Sequence, residues 1–187
     1  MRIAVATSPL FFVEENAIIQ ALFEEGLDIL HLSKPDSEPI YCERLLTLMP
    51  QRWCSRIVTS DHFYLQGEYG LKGIHLSQRN PEMPRGYRGY VSRSCSTEDL
   101  GKYSEQYGHL VLEATPSAIE QAVRERKINH RVFMRGITTI DGVQFARDCG
   151  FGGIVLENVL WERFDAHESN NFKELVDLFK IFRKAAD

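Results

Sequence analysis

Gly26-Leu27-Asp28-Ile29-Leu30-His31-Leu32-Ser33-Lys34-Pro35, then Arg56-Ile57-Val58-Thr59-Ser60-Asp61-His62 and Gly73-Ile74-His75-Leu76-Ser77-Gln78-Arg79-Asn80, are three short apolar runs that each end in polar residues. Short apolar runs bounded by turn residues read as strands buried on both faces, and buried strands separated by helices build a parallel sheet. Where such a sheet closes into a barrel, the C-terminal strand ends carry the chemistry.

The alternation continues in both directions from these runs. Ile3 to Ala6 reads as a first strand, and Glu14 to Glu25 as a helix with Ile18, Ile19, Leu22 and Phe23 on one face and Gly26 as its stop. Glu38-Pro39 opens the next helix, with proline in the first turn where its missing N–H costs nothing. Asp61 to Tyr69 reads as a helix with Ser60 or Asp61 as N-cap. Tyr90 to Ser92 is expected to start a fifth strand, and further strands are expected at His109 to Leu112, Arg131 to Met134 and Gly153 to Leu156. Helices are expected at Thr97 onward, Thr115 to Lys127 and Thr138 to Cys149. His167 to Lys184 places Phe172, Leu175, Val176, Phe179 and Phe182 at helical spacing. Eight strand–helix pairs without a linker predict one domain over residues 1–187, a compact (β/α)8 TIM barrel. An open doubly wound sheet is the rival.

Composition narrows the function. A formal charge of −4 argues against a nucleic-acid surface. Cys42, Cys54, Cys95 and Cys149 have neither CxxC spacing nor nearby histidines, which points to reduced thiols rather than a disulfide framework. The first residues lack the pattern of a secretory leader, and no apolar run is long enough for a membrane span. The expectation is a cytoplasmic protein that binds small molecules, with no membrane partner.

The order of these strand-end motifs resembles the thiamine phosphate synthase and thiazole tautomerase superfamily. The resemblance runs from Thr7 to about Asp165 and rests on His31-Leu32-Ser33-Lys34, Ser60-Asp61, Gly73 to Gln78, Ser92 to Glu98, Arg135-Gly136-Ile137 and Gly150 to Gly153. It implies a coupling reaction in which a pyrimidine methyl diphosphate ionises and the nitrogen of a thiazole phosphate captures the cation. Mg2+ and cationic donors would absorb the pyrophosphate charge. The implied partners are an aminopyrimidine diphosphate and a thiazole phosphate or related metabolite, and a homo-oligomer is left open.

The resemblance assigns Lys34 to the diphosphate, with Ser33 where the family has arginine; a solvated strand-end lysine is the competing reading. Asp61 becomes a magnesium ligand, against its use as a helix cap, and Asn80 takes the place of a second metal carboxylate at the loss of one charge. Ser60 and Ser94 become substrate contacts, and Ser96 replaces a histidine, which speaks against tautomerase chemistry. The loop that carries a lysine in the family is shortened after the sixth strand, where Leu112-Glu113-Ala114-Thr115 runs straight into a helix. Arg135-Gly136 and Asn158 stand at the thiazole-phosphate cradle; Arg135 either forks onto an anion or fills the space, with Glu157 close by. His31 is a substrate-side candidate, and His31 and His75 are each either a general base or a structural histidine. Cys95 reads better as an inert thiol than as a nucleophile. The alternative to synthase activity is a degenerate member that binds or senses a thiamine-related metabolite or serves as an interaction partner. A third option keeps the same mouth for another reaction, with Arg135 as the anchor.

Overall fold

The computed structural model describes residues 1–103, 105–165 and 172–187. Eight parallel strands close a barrel in sequence order: β1 (Arg2–Ala6), β2 (Ile29–Leu32), β3 (Ile57–Thr59), β4 (Gly73–Leu76), β5 (Tyr90–Cys95), β6 (His109–Leu112), β7 (Val132–Met134) and β8 (Gly153–Leu156), with β8 pairing back onto β1. The helices are α1 (Glu15–Glu24), α2 (Pro39–Thr47), α3 (Gln51–Cys54), α4 (Leu65–Tyr69), α5 (Leu100–Tyr103), α6 (Pro116–Arg124), α7 (Ile140–Asp148), α8 (Asn158–Trp161) and α9 (Lys173–Ala186). The closed ring removes the open-sheet alternative. No helix among the described residues is long and apolar enough to cross a membrane.

Two apolar layers hold the barrel. The outer layer seats Ile18, Leu22 and Phe23 of α1, and Phe179 and Phe182 of α9, against outward-facing strand residues such as Ile3, Leu30 and Leu156. The inner layer is small: Ala4, Ile29, Val58, Val111, Phe133 and Val155 meet on the axis. Glycine makes room for this packing. A Cβ on Gly153 would stand 2.7 Å from the Phe133 ring, and one on Gly73 would meet the Tyr90 carbonyl at 2.0 Å.

The ends of the chain close on each other. The Met1 amino group donates to the Ala186 carbonyl at 2.6 Å, and Arg183 of α9 bridges Met1 O at 2.7 Å and Asp28 at 2.9 Å. The last helix starts at Lys173, and the expected stretch from His167 to Asn171 lies outside the described residues.

Two local expectations need correction. The fourth helix begins at Leu65, so neither Ser60 nor Asp61 caps it; Thr59 Oγ1 donates to the Asp61 carbonyl and His62 takes a left-handed turn (φ 51°). α6 ends at Arg124, so Glu125 to Lys127 form the exit turn. The short link between β6 and α6 is as expected, with Pro116 in the first turn and the Thr115 hydroxyl accepting from Ala118 N–H.

Candidate functional site at the barrel mouth

The C-terminal strand ends surround a cavity of about 680 Å³. Its wall includes His31, Ser33, Ser60, His75, Ser77, Arg79, Arg93, Ser94, Asp99, Glu113, Arg135 and Glu157. Of the residues the sequence assigns to substrate or metal, His31, Ser60, Ser94 and Arg135 reach this cavity, as do Ser33, His75, Cys95, Ser96 and Glu157, which it also singled out. Lys34, Asp61, Asn80, Gly136 and Asn158 are not among its lining residues.

Lys34 faces away from it. Its side chain is wholly buried, with Nζ 2.6 and 2.7 Å from the two carboxylate oxygens of Glu15, 2.9 Å from the Leu10 carbonyl and 4.1 Å from the centre of the Phe11 ring. A buried ammonium needs such a partner, and Glu15 supplies it from the first turn of α1. Burial pushes the Glu15 carboxyl up from 4.5 to about 7 even with Lys34 beside it, and pulls Lys34 down from 10.5. Lys34 as placed braces the first loop and cannot also reach a diphosphate in the cavity.

Asp61 and Asn80 brace each other. Asp61 Oδ2 accepts the Lys34 backbone N–H at 3.0 Å, while Oδ1 accepts Arg79 at 2.6 Å and Asn80 Nδ2 at 3.0 Å. Asn80 Nδ2 also donates to the Ser60 carbonyl at 2.9 Å, so both acceptors fix the amide with its nitrogen toward Asp61. Magnesium prefers oxygen ligands in open octahedral order. Here one carboxylate is saturated and the amide shows its N–H side, so the pair as arranged does not fit the ion.

The floor is built of histidines. His31 of β2, His75 of β4 and His109 of β6 are all buried. Alternate strands of a barrel share a layer, so these three side chains converge on the axis. His31 Nε2 lies 3.1 Å from His109 Nε2, the His31 and His75 ring centres are 4.7 Å apart, and Tyr90 OH lies 2.6 Å from His109 Nδ1. His75 sits between two hydroxyls, Nδ1 2.9 Å from Ser92 Oγ and Nε2 2.9 Å from Ser94 Oγ. Ser92 donates to the Ile74 carbonyl at 3.4 Å, so it accepts from His75 Nδ1–H and leaves Nε2 with its lone pair toward Ser94. Burial, reinforced by nearby Arg135, lowers His31 from 6.5 to about 3. Burial also pulls His75 and His109 well below 6.5. Neutral imidazoles at neutral pH are bases and metal ligands, not cations.

The wall charges are balanced. Arg135 Nε bonds Glu157 at 2.8 Å and its guanidinium also faces Glu113 at 3.5 Å. Arg93 lies over the Tyr103 ring at 4.7 Å, and Arg79 is held by Asp61. Burial raises the Cys95 thiol to about 12, so its thiolate is absent at neutral pH. Gly136 takes a positive φ of 80° beside the cavity, and Asn158 opens the short α8 with its side chain in solvent.

Sequence reasoning missed Glu15, Tyr90, Ser92 and His109. One signal was available: His31, His75 and His109 each precede a leucine on strands two, four and six, and even-numbered strands meet in the same layer.

No family model and no curated protein matches the sequence. Among solved structures, a thiamine phosphate pyrophosphorylase from Bacteroides thetaiotaomicron is 42% identical, with 100% of this chain and 98% of its own length covered and a TM-score of 0.94. A thiamine phosphate pyrophosphorylase from Pyrococcus furiosus is 14% identical, with 95% and 96% covered and a TM-score of 0.71. A tryptophan synthase alpha subunit from Legionella pneumophila is 15% identical, with 100% and 92% covered and a TM-score of 0.72. The last two show the shared barrel alone.

Proposed function

Because this chain belongs to the thiamine phosphate synthase superfamily, we propose that its barrel mouth binds the phosphorylated heterocycles of thiamine assembly and joins them as that family does, an aminopyrimidine diphosphate to a thiazole phosphate. The observation that carries this reading is the 42% identity to a thiamine phosphate pyrophosphorylase over the whole barrel. In this reading the Arg135 fork leaves Glu113 to take a phosphate, and Ser94 and Ser60 donate to its oxygens. His31 and His75, neutral at the cavity floor, face the heterocycle as hydrogen-bond partners. Among the described residues no lysine lines the cavity to receive the departing pyrophosphate, and Lys34 is tied to Glu15. The expected magnesium pair is tied to itself, and no step is assigned to that ion.

Those engaged groups favour a second reading, binding without turnover. The cavity wall carries three arginines, Arg79, Arg93 and Arg135, against three carboxylates, Asp99, Glu113 and Glu157. Such a wall gains little from a highly charged diphosphate.

The deciding experiment incubates the purified chain with both substrates and Mg2+ and measures thiamine phosphate by chromatography. The synthase reading expects product above the protein-free control and at least tenfold less from Arg135→Ala. Saturable calorimetric binding of either substrate without product replaces it with the second reading. Neither binding nor product overturns both.

A further inference from the structure

We propose that His31, His75 and His109 form a binding site for one divalent transition ion of the zinc class at the floor of the barrel. Imidazole nitrogen suits zinc, cobalt, nickel and copper, and three such ligands leave a position open. The three ligand nitrogens lie within 4.8 Å of one another. Tetrahedral zinc–nitrogen bonds of about 2.0–2.1 Å place neighbouring ligand atoms roughly 3.3–3.4 Å apart. The His31–His109 pair already stands at 3.1 Å. His75 completes the set by a small ring movement toward the axis, exchanging the Ser94 hydroxyl for the ion.

The surroundings support ligation as well as the rings do. Ligating histidines donate their second nitrogen to an outer partner. Tyr90 OH stands at His109 Nδ1 and Ser92 Oγ at His75 Nδ1. The Phe133 ring stacks on His109 at 4.6 Å and fixes its plane. No proton has to leave. Two neutral rings 3.1 Å apart share one N–H between their Nε2 atoms, and moving that hydrogen to Nδ1 frees both lone pairs. The His31–His109 hydrogen bond, with His75 held between Ser92 and Ser94, is the resting arrangement of the same site.

Its open face is defined by the cavity. His31 and His75 line the cavity, whereas His109 does not and sits with Tyr90 deeper in the barrel. An ion held by all three would present its free position upward, to water or an anionic ligand oxygen. This site is separate from Asp61 and Asn80.

The untagged full chain, stripped with a chelator and reloaded with Zn2+ or Co2+, tests it. One equivalent by elemental analysis is expected, together with the intense visible bands of four-coordinate Co2+. His31→Gln and His109→Phe should each weaken binding at least tenfold with unchanged circular dichroism, and Tyr90→Phe about tenfold through the outer partner. His62→Gln and His130→Gln should bind like the parent. A bound fraction below one tenth at micromolar free metal overturns the proposal, as does full binding by both His31→Gln and His109→Phe. If His109→Phe fails to fold, His31→Gln and Tyr90→Phe decide alone.

Discussion

Replacing Lys34 by methionine keeps the apolar stem and removes the ammonium that faces Glu15. The consequence follows from Glu15. Burial already raises its carboxyl to about 7 with the lysine pulling it down, so without the lysine it holds its proton through neutral pH. The unfolded chain returns it to the ordinary 4.5. A folded pKa above the unfolded one means that stability is present at low pH and lost as pH rises between the two values. Holding the proton costs about 1.4 kcal/mol for each pH unit, so at pH 7 the Lys34→Met chain carries a penalty of about 3 kcal/mol from Glu15 alone. Adding Glu15→Gln, which cannot ionise, removes it. Urea unfolding should therefore show the double variant more stable than Lys34→Met by about 3 kcal/mol at pH 7, or roughly 10 °C in Tm, and nearly equal to it at pH 4.5. The double variant should also bind phosphorylated ligand within about twofold of the parent, because Lys34 points away from the cavity. An absent rescue at pH 7, or one of equal size at both pH values, would mean that Glu15 is not held uncharged by burial in the Lys34→Met chain.

Three further outcomes are expected. The parent should lose stability as pH falls below 6.5, because its three buried histidines stay neutral when folded and take protons only when unfolded; Glu15 acts in the opposite sense between about 7 and 4.5 and only partly offsets this, and urea midpoints of His109→Phe should fall less steeply. Gly73→Ala should cost at least about 3 kcal/mol by urea unfolding, since its methyl meets the Tyr90 backbone carbonyl and backbone cannot move aside as a side chain does. Asp61→Ala should cost about 1–3 kcal/mol in the same assay, leaving the buried Lys34 N–H without its acceptor and releasing Arg79.

The barrel was legible because its strands are written as short buried runs, such as Ile57-Val58-Thr59 and Gly153-Ile154-Val155-Leu156, each stopped by turn residues. β5 was harder to bound because its inward side is polar: Ser92 and Ser94 serve His75 rather than an apolar core. Lys34 shows where local reading stops. Its direction is set by Glu15, nineteen residues earlier, which the packing of α1 beside the end of β2 brings to it. Asp61 fails as a cap for a similar reason, since its partners are the Lys34 N–H, Arg79 and Asn80 from neighbouring strand ends. Ser94 lines the mouth because inward parity on β5 turns it there, and Arg135 does so because it directly follows the end of β7.

The central claim, that the mouth of this barrel receives a phosphorylated heterocycle of thiamine assembly, is tested most directly by amide chemical-shift mapping during titration with thiazole phosphate and, separately, the aminopyrimidine diphosphate. Saturable shifts should concentrate at Ser33, Ser60, Ser77, Ser94, Arg135 and Glu157. Shifts gathered elsewhere on the surface, or none with either compound, would contradict it.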